Sequence, residues 1–484
     1  METKSLKQKT ARGLLWGGMN NLLQQVLNLL FGIVLARLLQ PEDYGMVGML
    51  LVFSFVAGAL QDSGFTVALV NRKDISHRDY NAVFWFSLLM GALLYAILFL
   101  AAPLIAAFYH QPALTPLARY LFLSFFLGTL SSAHNAKLIR ELRVRTASTI
   151  QLSALLVAGV AGIVMAMNGM SYWGIATQTV LYSLLVLLGR SLVSGFRPSM
   201  AVDLRPIREM FAFSVKILAA NIASHINNNI LTVLLGRFYS EREVGFYNQA
   251  AKWNQMGFYT LQSMMNNVAQ PVLRRVEDDG GRLLRVFRKL MRFAAFVSMP
   301  AMLGLSLVAP ELIELAVTDK WAESARLMQV VCIGGAFVPL QNLMYNLLLS
   351  RERSDICLLN TVAMGLVQTV AVLLCRGGGI FLMVWVFVAI NMAWLLVWWF
   401  FARRETGLRL RHLVLDVAPF FLIAAASVAC AAWAGTLVAN TLLRLLAKTA
   451  VTALLYLGIL RLLGATILSE SIEQLKGLLN KTPS

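Results

Sequence analysis

Charge is what this sequence lacks most: only 14% of its 484 residues are Asp, Glu, Lys or Arg, against about a quarter in a soluble domain. That shortage excludes an ordinary soluble fold, whose surface must stay wetted. Cysteine is scarce too. The four, Cys332, Cys357, Cys375 and Cys430, fall in apolar stretches and form no C-x-x-C pair, so neither a disulfide framework nor a zinc site is supported. The five histidines show no metal-ligand spacing, and no metal or cofactor is expected. No glycine-rich loop is placed to cradle a nucleotide; "CRGGGI" at 375–380 reads as an outer turn. The net charge of +18 comes with no arginine-rich arm and no basic stripe interleaved with aromatics, so no nucleic-acid partner is expected.

What is present is apolar length. Hydrophobic residues make up 58% of the chain, and stretches of the ~20 residues needed for one bilayer crossing recur along it. The expected fold is an all-α polytopic membrane protein. Predicted spans lie near 14–36, 46–68, 83–107, 114–133, 147–167, 172–193, 211–234, 286–308, 325–349, 355–375, 380–401, 413–434 and 442–463. A further segment, 246–270, is too polar to pass on hydropathy, and charge parity argues for it. Arg190, Arg197, Arg205 and Arg208 precede span 7, and Arg274, Arg275, Arg282, Arg285, Arg288, Lys289 and Arg292 follow 246–270. Both clusters read as cytoplasmic, so an even number of spans must separate them. That gives fourteen transmembrane helices with both termini cytoplasmic. The basic opening "METKSLKQKTARG" runs into span 1 with no small-residue cleavage site, so an uncleaved start is expected.

Shifting the chain by 200 residues lays Asn21 on Asn221, Asn28 on Asn228, Leu35 on Leu235, Arg37 on Arg237 and Gly45 on Gly245. Six spans separate the copies, so both enter the membrane in the same direction. This is a parallel repeat about an axis along the membrane normal, an arrangement that places a substrate site between two halves. The expected divisions are residues 1–200 for a first six-helix bundle, 201–405 for a second, and 406–484 for two added helices and a cytoplasmic tail.

The polar residues inside these spans form stripes. At 100° per residue, Asn21, Gln24, Gln25 and Asn28 fall within an arc of about 100°. Asn221, Ser224, His225, Asn228 and Thr232 do the same in span 7. In span 8, Asn248, Lys252, Gln255, Tyr259, Gln262, Asn266 and Gln270 hold an arc of about 80°. Asp62 occupies the span 2 position that corresponds to Gln262. Unsatisfied amides facing hydrocarbon cost several kcal/mol each. An isolated stripe is explained by helix–helix hydrogen bonds; three stripes, two of them repeat-related, favour a shared water-filled cavity. Lys252 is either a cation for an anionic group or the partner of a carboxylate, and Asp62 either a cation or proton site or a structural acceptor. Lys216 reads as a snorkelling residue, and Arg37 and Arg237 as interface anchors.

The stretch "VLARLLQPEDYGMVGMLLVFSFVAGALQDSGFTVALVNRKDISH" (34–77), with "GFYNQA" (245–250) and "DKW" (319–321), resembles the polysaccharide transport family of bacterial flippases. That family lies within the multidrug/oligosaccharidyl-lipid/polysaccharide exporter superfamily, and the resemblance is nearest to exporters of the colanic acid type. It implies two six-helix bundles plus two C-terminal helices. It also implies an undecaprenyl-diphosphate-linked oligosaccharide turned from the cytoplasmic to the periplasmic leaflet of the bacterial inner membrane by alternating access. The partners implied are that lipid-linked sugar, membrane lipids, a polysaccharide polymerase, and a coupling ion (H+ or Na+) or the membrane potential. Family members are expected to place cations in the cavity for the diphosphate; here Lys252 and His225 are the basic residues on stripes.

Three other readings compete. A drug/cation antiporter of the same superfamily typically has twelve spans and several buried carboxylates, and a peptidoglycan-precursor flippase differs only in substrate. A membrane polymerase or ligase of lipid-linked sugars would need a substantial outer loop bearing Arg or His. The longest outer connection, "APELIELAVTDKWAES" (309–324), is short and has no His, so the chain is not expected to be an enzyme. "EDDGG" (277–281) reads as a turn.

Overall fold

In hydrocarbon a backbone must satisfy its own N–H and C=O groups, and a helix does so within one segment. The computed structural model describes residues 22–61, 75–141, 143–200, 222, 225–275, 280–465 and 467–468. Among the described residues the regular structure is helical throughout, with no strand.

The first helices among the described residues are α1 (Leu22–Leu38) and α2 (Pro41–Gln61). They are followed by α3 (His77–Tyr109), α4 (Leu114–Arg140), α5 (Val144–Met167) and α6 (Trp173–Val193). Next come α7 (225–238) and α8 (Glu241–Arg275), then α9 (Gly280–Val317) and α10 (Asp319–Ser350). The chain closes with α11 (Ser354–Leu374), α12 (Gly379–Thr406), α13 (Leu410–Thr436) and α14 (Thr441–Leu462). Each predicted span overlaps one of these helices. Ten of them, α3–α6 and α9–α14, are long and apolar enough to cross a membrane. The polar segment 246–270 lies inside α8, a single helix of 35 residues.

Two departures from the predicted spans have local causes. At 38 residues, α9 is about 57 Å long, well beyond a ~30 Å hydrocarbon core. Its first turns are amphipathic: Leu283, Phe287 and Met291 are buried while Arg282, Arg285 and Lys289 are exposed. The helix therefore continues where hydropathy falls. The second departure is a break in α10, which is two helices, Ala322–Gly335 and Val338–Ser350. Pro339 sits in the first turn of the second piece, where its missing N–H costs nothing. Ser298 Oγ of α9 donates to the Ala336 carbonyl at 2.9 Å, satisfying an acceptor that the break exposes.

The chain divides into two compact units, Met1–Gly245 and Phe246–Ser484. In the first, α4 packs against α3 and α6, and α5 against α6. The α5–α6 approach is close because both helices present glycine: a Cβ on Gly174 would lie 2.8 Å from the Gly162 carbonyl oxygen. Small residues permit such backbone contact between helices in lipid. In the second unit α9 is the hub, contacting α10, α13 and α14.

Each unit also holds one copy of a short exit turn that the 200-residue shift does not reveal. "SGFR" (194–197) follows α6 and "TGLR" (406–409) closes α12. Gly195 and Gly407 both take the left-handed region, φ 63° and 70°. A hydroxyl accepts from the N–H two residues on in each: Ser194 from Phe196 at 3.2 Å, Thr406 from Leu408 at 3.3 Å. The apolar residue then turns inward, Phe196 and Leu408 both being buried.

Candidate functional site

The predicted cavity residues divide by what surrounds them. On α1, Gln24 Nε2 donates to Gln151 Oε1 of α5 at 3.0 Å, so this amide ties two helices together. Gln25 and Asn28 of the same helix are exposed. On α7, His225 is half-buried and its carbonyl accepts from Asn229 Nδ2 at 2.9 Å, while Asn228 is exposed. Asn21, Asp62 and Asn221 lie outside the described residues. On α8, Lys252, Gln255 and Gln262 are half-buried. Tyr259 and Asn266 also lie on α8, and their side chains are outside the described residues. The α1 and α7 stripes belong to the first unit, and the α8 stripe from Phe246 onward to the second.

Beside the predicted stripe, α8 carries polar groups that sequence reasoning missed. Gln249 Oε1, Trp253 Nε1 and Asn254 Oδ1 are buried and have no hydrogen-bond partner among the described residues. Asn254 Oδ1 abuts Gly335 at the break in α10, at a point where a Cβ would overlap it. Buried polar atoms are nearly always satisfied, and each exception needs an explanation. Here three fall within two turns of one helix, flanking Lys252. The signal in the sequence was the polarity of 246–270 on every side, a wider feature than one arc. No ion pair of Lys252 occurs among the described residues.

Elsewhere the charges are paired. Asp416 of α13 is buried and accepts from Arg288 Nε at 2.6 Å and Nη2 at 3.0 Å, with Arg292 Nε at 3.5 Å. Glu311 of α9 is buried and meets Lys448 Nζ of α14 at 2.5 Å; Thr441 Oγ1 donates to Glu314 at 3.0 Å. The Tyr456 hydroxyl donates to the Phe296 carbonyl at 2.9 Å between these pairs. The added helices α13 and α14 are thus fastened to α9 near both ends. The sequence places Arg288 in a cytoplasmic cluster and Asp62 inside a span; Asp416 and Glu311, each toward an end of its helix, are two further carboxylates, both buried and paired with cations. Arg237 is tied to α3: its Nη1 donates to the Phe108 carbonyl at 3.0 Å and its guanidinium lies 5.3 Å from the Phe108 ring centroid.

Ten long apolar helices and no strand among the described residues define a polytopic helical membrane protein. The solved structure of the lipid II flippase MurJ in an inward closed conformation has the same fold. It superposes at a TM-score of 0.71 over 93% of this chain and 99% of that one, with 12% identity. The family model described as "Polysaccharide biosynthesis protein" matches residues 34–326, and the chain belongs to that family. The match begins where the resemblance at 34–77 begins and bears it out. Among curated relatives, the Escherichia coli (strain K12) lipopolysaccharide biosynthesis protein WzxC is 26% identical over 73% of this chain and 72% of its own length. The Rhizobium meliloti (strain 1021) succinoglycan biosynthesis transport protein ExoT is 22% identical over 60% of this chain and 58% of its own.

Proposed function

We propose that the chain is a flippase that carries undecaprenyl-diphosphate-linked oligosaccharide from the cytoplasmic to the periplasmic leaflet of a bacterial inner membrane by alternating access. The observation that carries this reading is the polar length of α8, a 35-residue helix with Lys252, Gln255 and Gln262 half-buried on one arc, in a member of a polysaccharide biosynthesis family. Sugar hydroxyls leaving water need donors and acceptors of this kind. The names of WzxC and ExoT, and the flippase fold of MurJ, support the same reading.

In this reading all fourteen helices cross the membrane, with both termini cytoplasmic. Residues 1–200 and 201–405 form the two bundles, and 406–484 contribute α13, α14 and the tail. The stripes of α1, α7 and α8 line the path, with Asp62 on its wall. Lys252 meets the diphosphate as a compact charge, and His225 lies beside the path. An ion gradient or the membrane potential drives the cycle, and a polymerase consumes the product outside.

Leaflet distribution of the lipid-linked oligosaccharide tests the proposal in cells depleted of the protein and then complemented. The expected result is accumulation in the cytoplasmic leaflet, relieved by wild type and not by Lys252→Ala. Relief by both would remove Lys252 from the mechanism. No accumulation, with drug efflux lost instead, would mean an antiporter.

A further inference from the structure

The turn that joins α12 to α13 reads "RRETGLRLR" (403–411), a stretch dense in arginine with a single carboxylate. That carboxylate, Glu405, is half-buried and faces Arg351 at 4.0 Å and Arg353 at 3.5 Å. Its charge is met inside the protein. Arg403, Arg404, Arg409 and Arg411 are exposed, and none makes an ion pair among the described residues. Basic residues at other helix ends differ: Arg288 and Arg292 meet Asp416, and Lys137 and Arg143 meet Glu141. The outer surface of this turn therefore carries one sign of charge.

Two of these arginines are held in place. The Arg404 guanidinium lies 4.5 Å from the Phe400 ring centroid and 5.9 Å from that of Phe401, and Arg403 lies 5.7 Å from that of Trp399. Trp399 Nε1 in turn donates to the Leu408 carbonyl at 3.0 Å, across the turn. Tryptophan with a polar tip and an apolar body settles at the headgroup level of a bilayer. A guanidinium stacked there presents a planar fork that matches phosphate.

Below the arginines the same helix faces are apolar. Leu396, Phe400 and Arg404 share an arc of about 80° on α12, and Arg411, Leu415 and Leu422 one of about 40° on α13. All six are exposed. Each column is thus apolar along its length and cationic at the turn. From the turn the helices go to different neighbours, α12 to α10 and α11, α13 to α9 and α14. The arrangement complements an anionic glycerophospholipid, with acyl chains along the columns and a phosphate above them. A zwitterionic lipid would bring an ammonium in among the guanidiniums.

We propose that the α12–α13 turn binds an anionic glycerophospholipid of the cytoplasmic leaflet, its phosphate among Arg403, Arg404, Arg409 and Arg411 and its chains along the Phe400 and Leu415 faces. The leaflet follows from the orientation proposed above. The lipid chemistry does not depend on what the protein transports. Such a lipid holds the start of α13 to the membrane surface, just before Asp416 fastens that helix to α9.

The test is native mass spectrometry of the purified full-length protein, stripped of lipid and titrated with phosphatidylglycerol or phosphatidylethanolamine. Phosphatidylglycerol is expected to bind at least tenfold more tightly. Replacing all four arginines by glutamine is expected to abolish that preference. Each pair alone, Arg403→Gln with Arg404→Gln or Arg409→Gln with Arg411→Gln, should weaken it about threefold or more. A control with the same loss of charge, Arg78→Gln, Arg145→Gln, Arg197→Gln and Arg285→Gln, should keep it. Equal affinity for the two lipids, or an equal loss in the control, overturns the site in favour of unspecific attraction. Preference for undecaprenyl phosphate over phosphatidylglycerol overturns it too, and makes the turn a docking point for the cargo lipid. No flipping is measured, so failure of the flippase reading would leave the outcome unchanged.

Discussion

Consecutive helices α8 and α9 lie in one unit from Phe246 onward, yet they treat polarity in opposite ways. At α9 two buried carboxylates meet cations, Glu311 with Lys448, and Asp416 of α13 with Arg288 and Arg292, although Glu311 Oε2 has no hydrogen-bond partner among the described residues. In α8 Gln249 Oε1, Trp253 Nε1 and Asn254 Oδ1 have no hydrogen-bond partner among the described residues. The cost of burial is similar in kind for both, so the difference lies in what offsets it. On α9 the protein supplies the partner, and the result is a fastening for α13 and α14. On α8 none of the described residues does so for these three atoms.

Breaking the paired side is expected to have the largest effect on stability. Glu311→Ala leaves the Lys448 ammonium in a site where it is only 12% exposed, and removing one member of such a pair costs about 3–5 kcal/mol. Thermal unfolding of the purified protein should show a large drop. The double replacement Glu311→Leu with Lys448→Met should recover most of it. A single replacement with no effect would mean that α14 is held by its apolar contacts alone.

The unpaired side should respond with the opposite sign. Gln249→Leu removes a side chain that is 2% exposed and whose Oε1 has no partner. Relief of an unmade hydrogen bond is worth about 1 kcal/mol or more, so the unfolding temperature should hold or rise while flipping falls. A stability loss comparable to that of Glu311→Ala would place Gln249 among the structural groups.

The smallest effect is expected on α1. Gln24→Leu loses the bond to Gln151, and interhelical hydrogen bonds in membranes average about 0.6 kcal/mol. A double-mutant cycle with Gln151→Leu should return a coupling of that size. A coupling near zero would release Gln24 to the path with Gln25 and Asn28.

Much of this was readable in the residues. The helical membrane fold follows from apolar length and scarce charge, and α8 was recovered from charge parity although its own hydropathy denied it. The pairing of Gly45 with Gly245 was visible as a repeat. That each glycine lies against the other's turn was not, because only three dimensions show it. Asp416 and Glu311 were missed because a carboxylate close to a helix end looks like a loop residue until its cation, 128 or 137 residues away, is brought beside it. The unpartnered face of α8 was half seen: a stripe of period 3.6 points to one arc, and Gln249, Trp253 and Asn254 lie off it. The exit turns escaped because insertions move them from a shift of 200 residues to one of 212.

Lys252 is the most direct test of the difference between α8 and α9. Purified wild-type and Lys252→Ala proteins would be reconstituted in proteoliposomes carrying undecaprenyl-diphosphate oligosaccharide, and the lipid reaching the opposite leaflet would be measured alongside thermal unfolding. The account predicts that wild type flips the lipid, that Lys252→Ala slows flipping at least tenfold, and that the unfolding temperature does not fall. Equal flipping by the two proteins, or a variant that loses stability and flipping together, would contradict it and make α8 a packing helix like α9.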